Sequence, residues 1–228
     1  YNFENPLNEV KIGIVGKYTE LIESYKSLDE ALRHASLQNQ LKLKPIYIDA
    51  DDLVPGKSGK GDTSVLNDIH GILVPGGFGE RGTEGKIMAI KWARENKVPY
   101  FGICLGMQLA LIEFARNVGH MEKATSAEFD VTGEGVRVVD FMEGQSHEGD
   151  KGGSMRLGAY DCHLSKGSLA HKIYGVEDIS ERHRHRLEVS NTYLDKLKKS
   201  GLVVSGVNKK LDLVEVIELE DHPFFIAC

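Results

Sequence analysis

Apolar residues follow two rhythms along the first half of the chain. Short β-branched runs, Val10 to Tyr18, Leu43 to Asp49 and His70 to Val74, are nearly continuous, as expected of strands buried on both faces of a parallel sheet. Helical spacing separates them. Leu28, Ala31, Leu32 and Ala35 fall at i, i+3, i+4 and i+7, with Ser27 and Glu30 spaced as a capping box, and Ile87, Ile90 and Ala93 repeat the pattern up to Asn96. A third stripe, Met107, Ala110, Leu111, Phe114 and Val118, stops at Gly119. The alternation of strand and helix predicts a doubly wound, mostly parallel α/β sheet of the flavodoxin-like kind. From His120 the rhythm shortens. Val136 to Phe141, Ser154 to Leu164 and Arg182 to Val189 read as strands, with short helices near Leu169 to Tyr174 and Tyr193 to Lys199. Leu202 to Val207, Leu213 to Leu219 and Pro223 to Cys228 read as an antiparallel C-terminal extension.

Composition narrows the function classes. With 228 residues, 41% hydrophobic and 27% charged, the chain can build one substantial α/β domain. A net charge of −6 argues against nucleic-acid binding. No apolar run nears the ~20 residues that span a bilayer, so the expectation is no membrane and a cytoplasmic location. Cys104, Cys162 and Cys228 form no CxxC pair, which suits a reducing compartment and disfavours structural zinc.

Candidate chemistry centres on Tyr100 to Gln108, where an apolar run ends in Gly102-x-Cys104-x-Gly106 and passes directly into a helical stripe. Glycines two residues either side of a nucleophile let strand and helix approach closely, as in a nucleophile elbow. A thiol there meets unpaired N–H groups at a helix start, and the Leu105 N–H faces an oxyanion formed by attack. The alternative is a buried structural cysteine. The loop Pro75 to Gly82 follows a strand end, where open α/β sheets bind ligands. Arg182, Arg184 and Arg186 alternate with His183 and His185, so as a strand the arginines share one face, suited to a carboxylate. The His-x-His pair has no acidic ligand spaced to complete a metal site. Gly56-Lys57-Ser58 lacks the upstream glycine of a phosphate-binding loop.

Gly16 to Leu21, Pro75 to Gly82, Gly102 to Ala110, Gly152 to Gly158 and Arg182 to Arg186 together resemble the triad-type, class-I glutamine amidotransferase domain of CTP synthases. The resemblance implies that Cys104 attacks the side-chain amide of L-glutamine, forming a γ-glutamyl thioester and releasing ammonia for amination of UTP to CTP. It implies an oxyanion hole at Gly77 and Leu105. It places the glutamine site at Gly77, Leu105, Gly106, Met107, Gln108, Glu128 and Arg186, although the stripe alone puts Met107 in the core. No metal and no cofactor are implied for this domain; ATP and Mg belong to a synthetase domain of the same polypeptide, which receives the ammonia. GTP is implied as an allosteric activator, with Phe78 and Arg81 as contacts, and a homotetramer as the assembly. Residues 1–9 are then a linker from the synthetase domain and 10–228 the amidotransferase domain. The family's His-Pro-Glu partners are expected beyond Cys228, since His222-Pro223 is followed by Phe224, so the chain alone is expected to be nearly inactive. Alternatives are an elbow-cysteine γ-glutamyl peptidase-like hydrolase and a non-catalytic module that binds glutamine or a partner.

Overall fold

A computed structural model describes residues 8–17, 25–56, 61–141 and 155–228. The chain divides into two compact units, one of residues 1–75 and 81–101, the other of 76–80 and 102–228.

In the first unit the buried runs form strands β1 (Asn8–Gly16), β2 (Leu41–Asp49), β3 (Gly71–Val74) and β4 (Tyr100–Gly102), ordered β2-β1-β3-β4. Both pairings of β1 are parallel. Helices α1 (Lys26–Gln38) and α2 (Thr83–Glu95) connect them. Ile14, Val15, Ile72, Leu73 and Val74 are buried, as continuous apolar strands require. The stripe on α1 is weaker than its spacing predicts: Leu28 and Leu32 are half-buried, Ala31 and Ala35 exposed. Its capping box does not form, because the helix starts at Lys26 behind Tyr25 and places Ser27 inside the first turn. β1 also begins at Asn8, so the end of the expected linker is strand; residues 1–7 lie outside the described residues, as do Lys57 and Ser58.

The second unit opens on α3 (Leu105–Asn117), whose residues Leu105 to Ala115 are all buried. The predicted stripe is therefore one side of a helix enclosed all round. Strands β5 (Ala124–Ser126) and β6 (Val136–Phe141) lead to β7 (Arg156–Leu164), α4 (Leu169–Tyr174), β8 (Asp178–His185) and β9 (Leu187–Val189). Then come α5 (Leu194–Lys199), β10 (Leu202–Asn208), β11 (Leu213–Leu219) and β12 (Phe225–Ala227). The order β12-β11-β10-β7-β8 is antiparallel at each of its registered pairs, and β5-β6-β9 forms a small separate sheet. The class is the predicted one: parallel α/β strands, a cysteine elbow and an antiparallel extension. The Arg182 to Val189 run is corrected in one respect. It is two strands in different sheets, and Arg186 sits in the break between them, outside the registered β7–β8 ladder. Among the described residues no helix is long and apolar enough to cross a membrane.

Candidate active site

Cys104 caps α3 with φ 54° and ψ −105°, a backbone conformation that side chains other than glycine rarely adopt. Such strain persists only where surrounding structure enforces it. Here Cys104 N donates to Cys228 O at 2.6 Å, and Cys228 N donates to Gly102 O at 2.9 Å, so the last strand clamps the turn from both sides. Gly106 N donates to Ile103 O. The Leu105 N–H, at the first helical position, has no partner among the described residues, and neither has the Gly77 N–H. A Cβ built on Gly76 would stand 3.3 Å from Cys104 Cβ, which puts the glycine loop hard against the elbow. The thiol is half-buried. Burial pushes Cys162 up to about 12 and Cys228 up to about 11, which disfavours the thiolate of both.

Cys104 opens into a cavity of about 320 Å³ lined by Gly77, Phe78, Gln108, Glu128, Phe141, Met155, Arg184, His185, Arg186 and Leu187. Of the sequence candidates, Gly77, Cys104, Gln108, Glu128 and Arg186 thus share one wall system. Leu105, Gly106 and Met107 are buried in α3 and do not line it, so any role they have is through backbone. Glu128 accepts from Gly79 N at 2.7 Å, and Gln108 Nε2 donates to Leu187 O at 3.1 Å. Arg186 stacks over Phe141 at 5.2 Å, while its buried Nε has no hydrogen-bond partner among the described residues. A buried guanidinium N–H left unmatched is a vacancy for an anion. Arg184 stands over Phe78 at 5.9 Å. His222 accepts from Phe224 N and packs its ring edge-on against Phe225, away from the cavity lining.

Behind the thiol lies a buried ionic cluster. Arg156 donates Nε to Glu188 Oε1 and Nη1 to Glu215 Oε1, each at 2.7 Å, and Nη2 to the second oxygen of each carboxylate at 3.1 Å. His183 Nε2 meets Glu215 Oε2 at 2.9 Å. Burial would raise the Glu215 carboxyl, but the bonds from His183 and Arg156 outweigh it and hold it below the ordinary range. His185 lines the same cavity as Cys104, and its Nδ1 stands 3.8 Å from Glu188 Oε2. Burial opposes a charge on the ring, but its interactions with Cys104 and Glu188 outweigh burial and push it up to about 9. Sequence spacing offered His-x-His no acidic companion, yet β11 delivers Glu215, and the ligand atoms of His183, His185 and Glu215 lie within 4.8 Å of one another. That spacing could hold a metal ion, but the Arg156 guanidinium already occupies both Glu215 oxygens, so the donor set has its cation.

The family profile for glutamine amidotransferase class-I matches residues 20–228. The chain belongs to the class-I glutamine amidotransferase family. Among members, the CTP synthase of Pelobacter propionicus is 53% identical over 220 residues, 96% of this chain and 40% of that protein. The CTP synthase of Geobacter metallireducens is also 53% identical, over 98% of this chain and 41% of its own. The chain therefore spans about 40% of the length of these curated relatives. A solved Trypanosoma brucei CTPS glutaminase domain with bound acivicin superposes with a TM-score of 0.87 at 37% identity, covering 96% of this chain and 84% of that one. Among class-I amidotransferases, then, this one is similar to the glutaminase domains of CTP synthases.

Proposed function

We propose that this amidotransferase hydrolyses glutamine through Cys104 and supplies the ammonia for amination of UTP to CTP. One observation carries the reading: a thiol on a strained elbow opens into a cavity whose polar wall holds Glu128 and the unmatched Nε of Arg186. Glu128 suits the amino group of free glutamine and Arg186 its carboxylate, a pairing that rejects an internal glutaminyl residue, which has neither charge. Cys104 gives up its thiol proton and Sγ attacks the side-chain amide carbon, while the N–H groups of Leu105 and Gly77 hold the oxyanion. Collapse breaks the C–N bond as the nitrogen takes up that proton, expelling ammonia and leaving the γ-glutamyl thioester. Water then releases glutamate. On this reading residues 10–228 are the amidotransferase domain and residues 1–9 the approach from a synthetase domain, which binds ATP and Mg and receives the ammonia. GTP activation through Phe78 and Arg81, a homotetramer and a cytoplasmic location complete the proposal, drawn from the resemblance to CTP synthases.

Ammonia release from glutamine, measured on the chain within its full-length polypeptide, tests it. Cys104→Ala should lower turnover by a factor on the order of 10⁶, the scale of nucleophile loss in a triad. Turnover of a γ-glutamyl peptide in preference to free glutamine would favour the peptidase alternative, and undiminished turnover in Cys104→Ala would end the reading.

A further inference from the structure

The loop that carries the Gly77 N–H is held differently at its two ends. A Cβ on Gly76 would stand 3.3 Å from Cys104 Cβ, and one on Gly77 3.5 Å from Leu105 Cδ2, so the near end rests on the elbow through van der Waals contact. Contact of that kind limits approach without fixing where an N–H points. At the far end the chain turns at Gly79, φ 83°, and Gly79 N donates to Glu128 Oε1 at 2.7 Å. This bond is directional, and a carboxylate acceptor makes it one of the stronger kind. Glu128 is itself anchored at the end of β5. Its N donates to Ser126 Oγ at 3.2 Å, Ala127 N donates to Val139 O at 2.9 Å, and the N–H groups of Phe129 and Asp130 both reach the carbonyl of the fully buried Ser126. The carboxylate thus stands on a framework separate from the loop it holds. A carboxylate offers about four acceptor positions, so the oxygen spent on Gly79 leaves room for a substrate's ammonium.

We propose that Glu128 is a positioning residue for the oxyanion hole: through Gly79 N it sets the Gly77 N–H beside Cys104, besides meeting the substrate's amino group. The inference rests on the glutaminase reading and deepens it, because the carboxylate that recognises free glutamine also holds the donor that steadies the oxyanion. Gly79 lies two residues from Gly77, so slack at one is felt at the other. Loss of one oxyanion donor costs about 10²–10³ in kcat, and a misplacement of about 1 Å costs about 10².

Two variants of the full-length polypeptide separate the two duties. Glu128→Gln keeps an acceptor oxygen for Gly79 N and loses the charge, whereas Glu128→Ala loses both. KM for glutamine should rise in each, but kcat should be at least about tenfold lower in Glu128→Ala than in Glu128→Gln. Amide hydrogen exchange by mass spectrometry, measured without glutamine so that the amino-group contact plays no part, supplies the second readout. The peptide spanning residues 76–80 should exchange at least about tenfold faster in Glu128→Ala than in Glu128→Gln, the scale of one lost hydrogen bond. Equal kcat in the two variants, or equal exchange, would overturn the proposal. Unsubstituted protein that releases no ammonia from glutamine, yet whose variants differ in exchange, would overturn the proposed function and the oxyanion role together and leave only the tether. Glutamine turnover with no difference between the variants would overturn this inference and leave that function standing.

Discussion

Replacing Arg156 by methionine removes the only guanidinium that the structure shows on Glu188 and Glu215, whose side chains are 4% and 2% exposed. Four N–H donations of 2.7 to 3.1 Å vanish at once, and solvent cannot replace them. His183 alone remains on Glu215. Breaking a buried ion pair from one side costs about 3–5 kcal/mol, because the surviving charge keeps its desolvation penalty, and this is a large part of the 5–15 kcal/mol that typically holds a domain together. The pH dependence should reverse as well. In the native protein the Glu215 carboxyl is held low, so its contribution is full above the unfolded value of about 4.3 and is lost as pH falls through the folded one. In Arg156→Met burial acts unopposed by the guanidinium and raises the folded value, so acid relieves the variant. Urea unfolding followed by circular dichroism at about pH 7.5 and about pH 5 should therefore show a penalty that shrinks on acidification. Arg156→Met combined with Glu188→Gln and Glu215→Gln should recover most of the loss at neutral pH, since the stranded charges are gone. A penalty below about 1 kcal/mol at neutral pH, or one equal at both pH values, would refute the cluster as a buried ionic unit.

Cys104→Gly should abolish glutamine turnover yet raise stability by about 1 kcal/mol relative to Cys104→Ala, because only glycine relieves a φ of 54°; matched urea midpoints for the two variants would show the elbow to be unstrained. Gly85→Ala should destabilise the first unit by about 3 kcal/mol or more in thermal or urea melts, since the new Cβ would sit 1.7 Å from the Ala50 carbonyl oxygen and backbone has to move. Arg186→Met should raise KM for glutamine at least about thirtyfold with a smaller change in kcat, and Arg186→Lys should not restore it, because an ammonium lacks the forked donors and the planar stack on Phe141.

Much of this molecule is legible in its sequence because its strongest signals are local. Gly102-x-Cys104-x-Gly106 announces the elbow, and β-branched runs announce the parallel strands, since each is written within a few adjacent residues. The ionic cluster is not local. Arg156, His185, Glu188 and Glu215 come from separate strands, and only the β7–β8 register and the strand order bring them together. A signal was present: Glu188 within Leu187-Glu188-Val189 and Glu215 within Leu213 to Leu219 are acids inside strands whose every residue is buried, where a charge demands a partner. The alternation Arg182 to Arg186 was readable as far as His185. The break at Arg186 between β8 and β9 rests on pairing of β9 with β6 in a different sheet, which no spacing rule encodes. On α1 the stripe overstated burial, because periodicity reports which face is apolar and not whether anything covers it.

The account turns on Cys104 as the attacking atom. The most direct measurement is peptide mapping by mass spectrometry after treating the chain, within its full-length polypeptide, with a glutamine-analogue chloroketone. The account predicts one adduct, on Cys104, prevented by excess glutamine. An adduct on Cys162 or Cys228 instead, or labelling of Cys104 that glutamine does not protect, would contradict it.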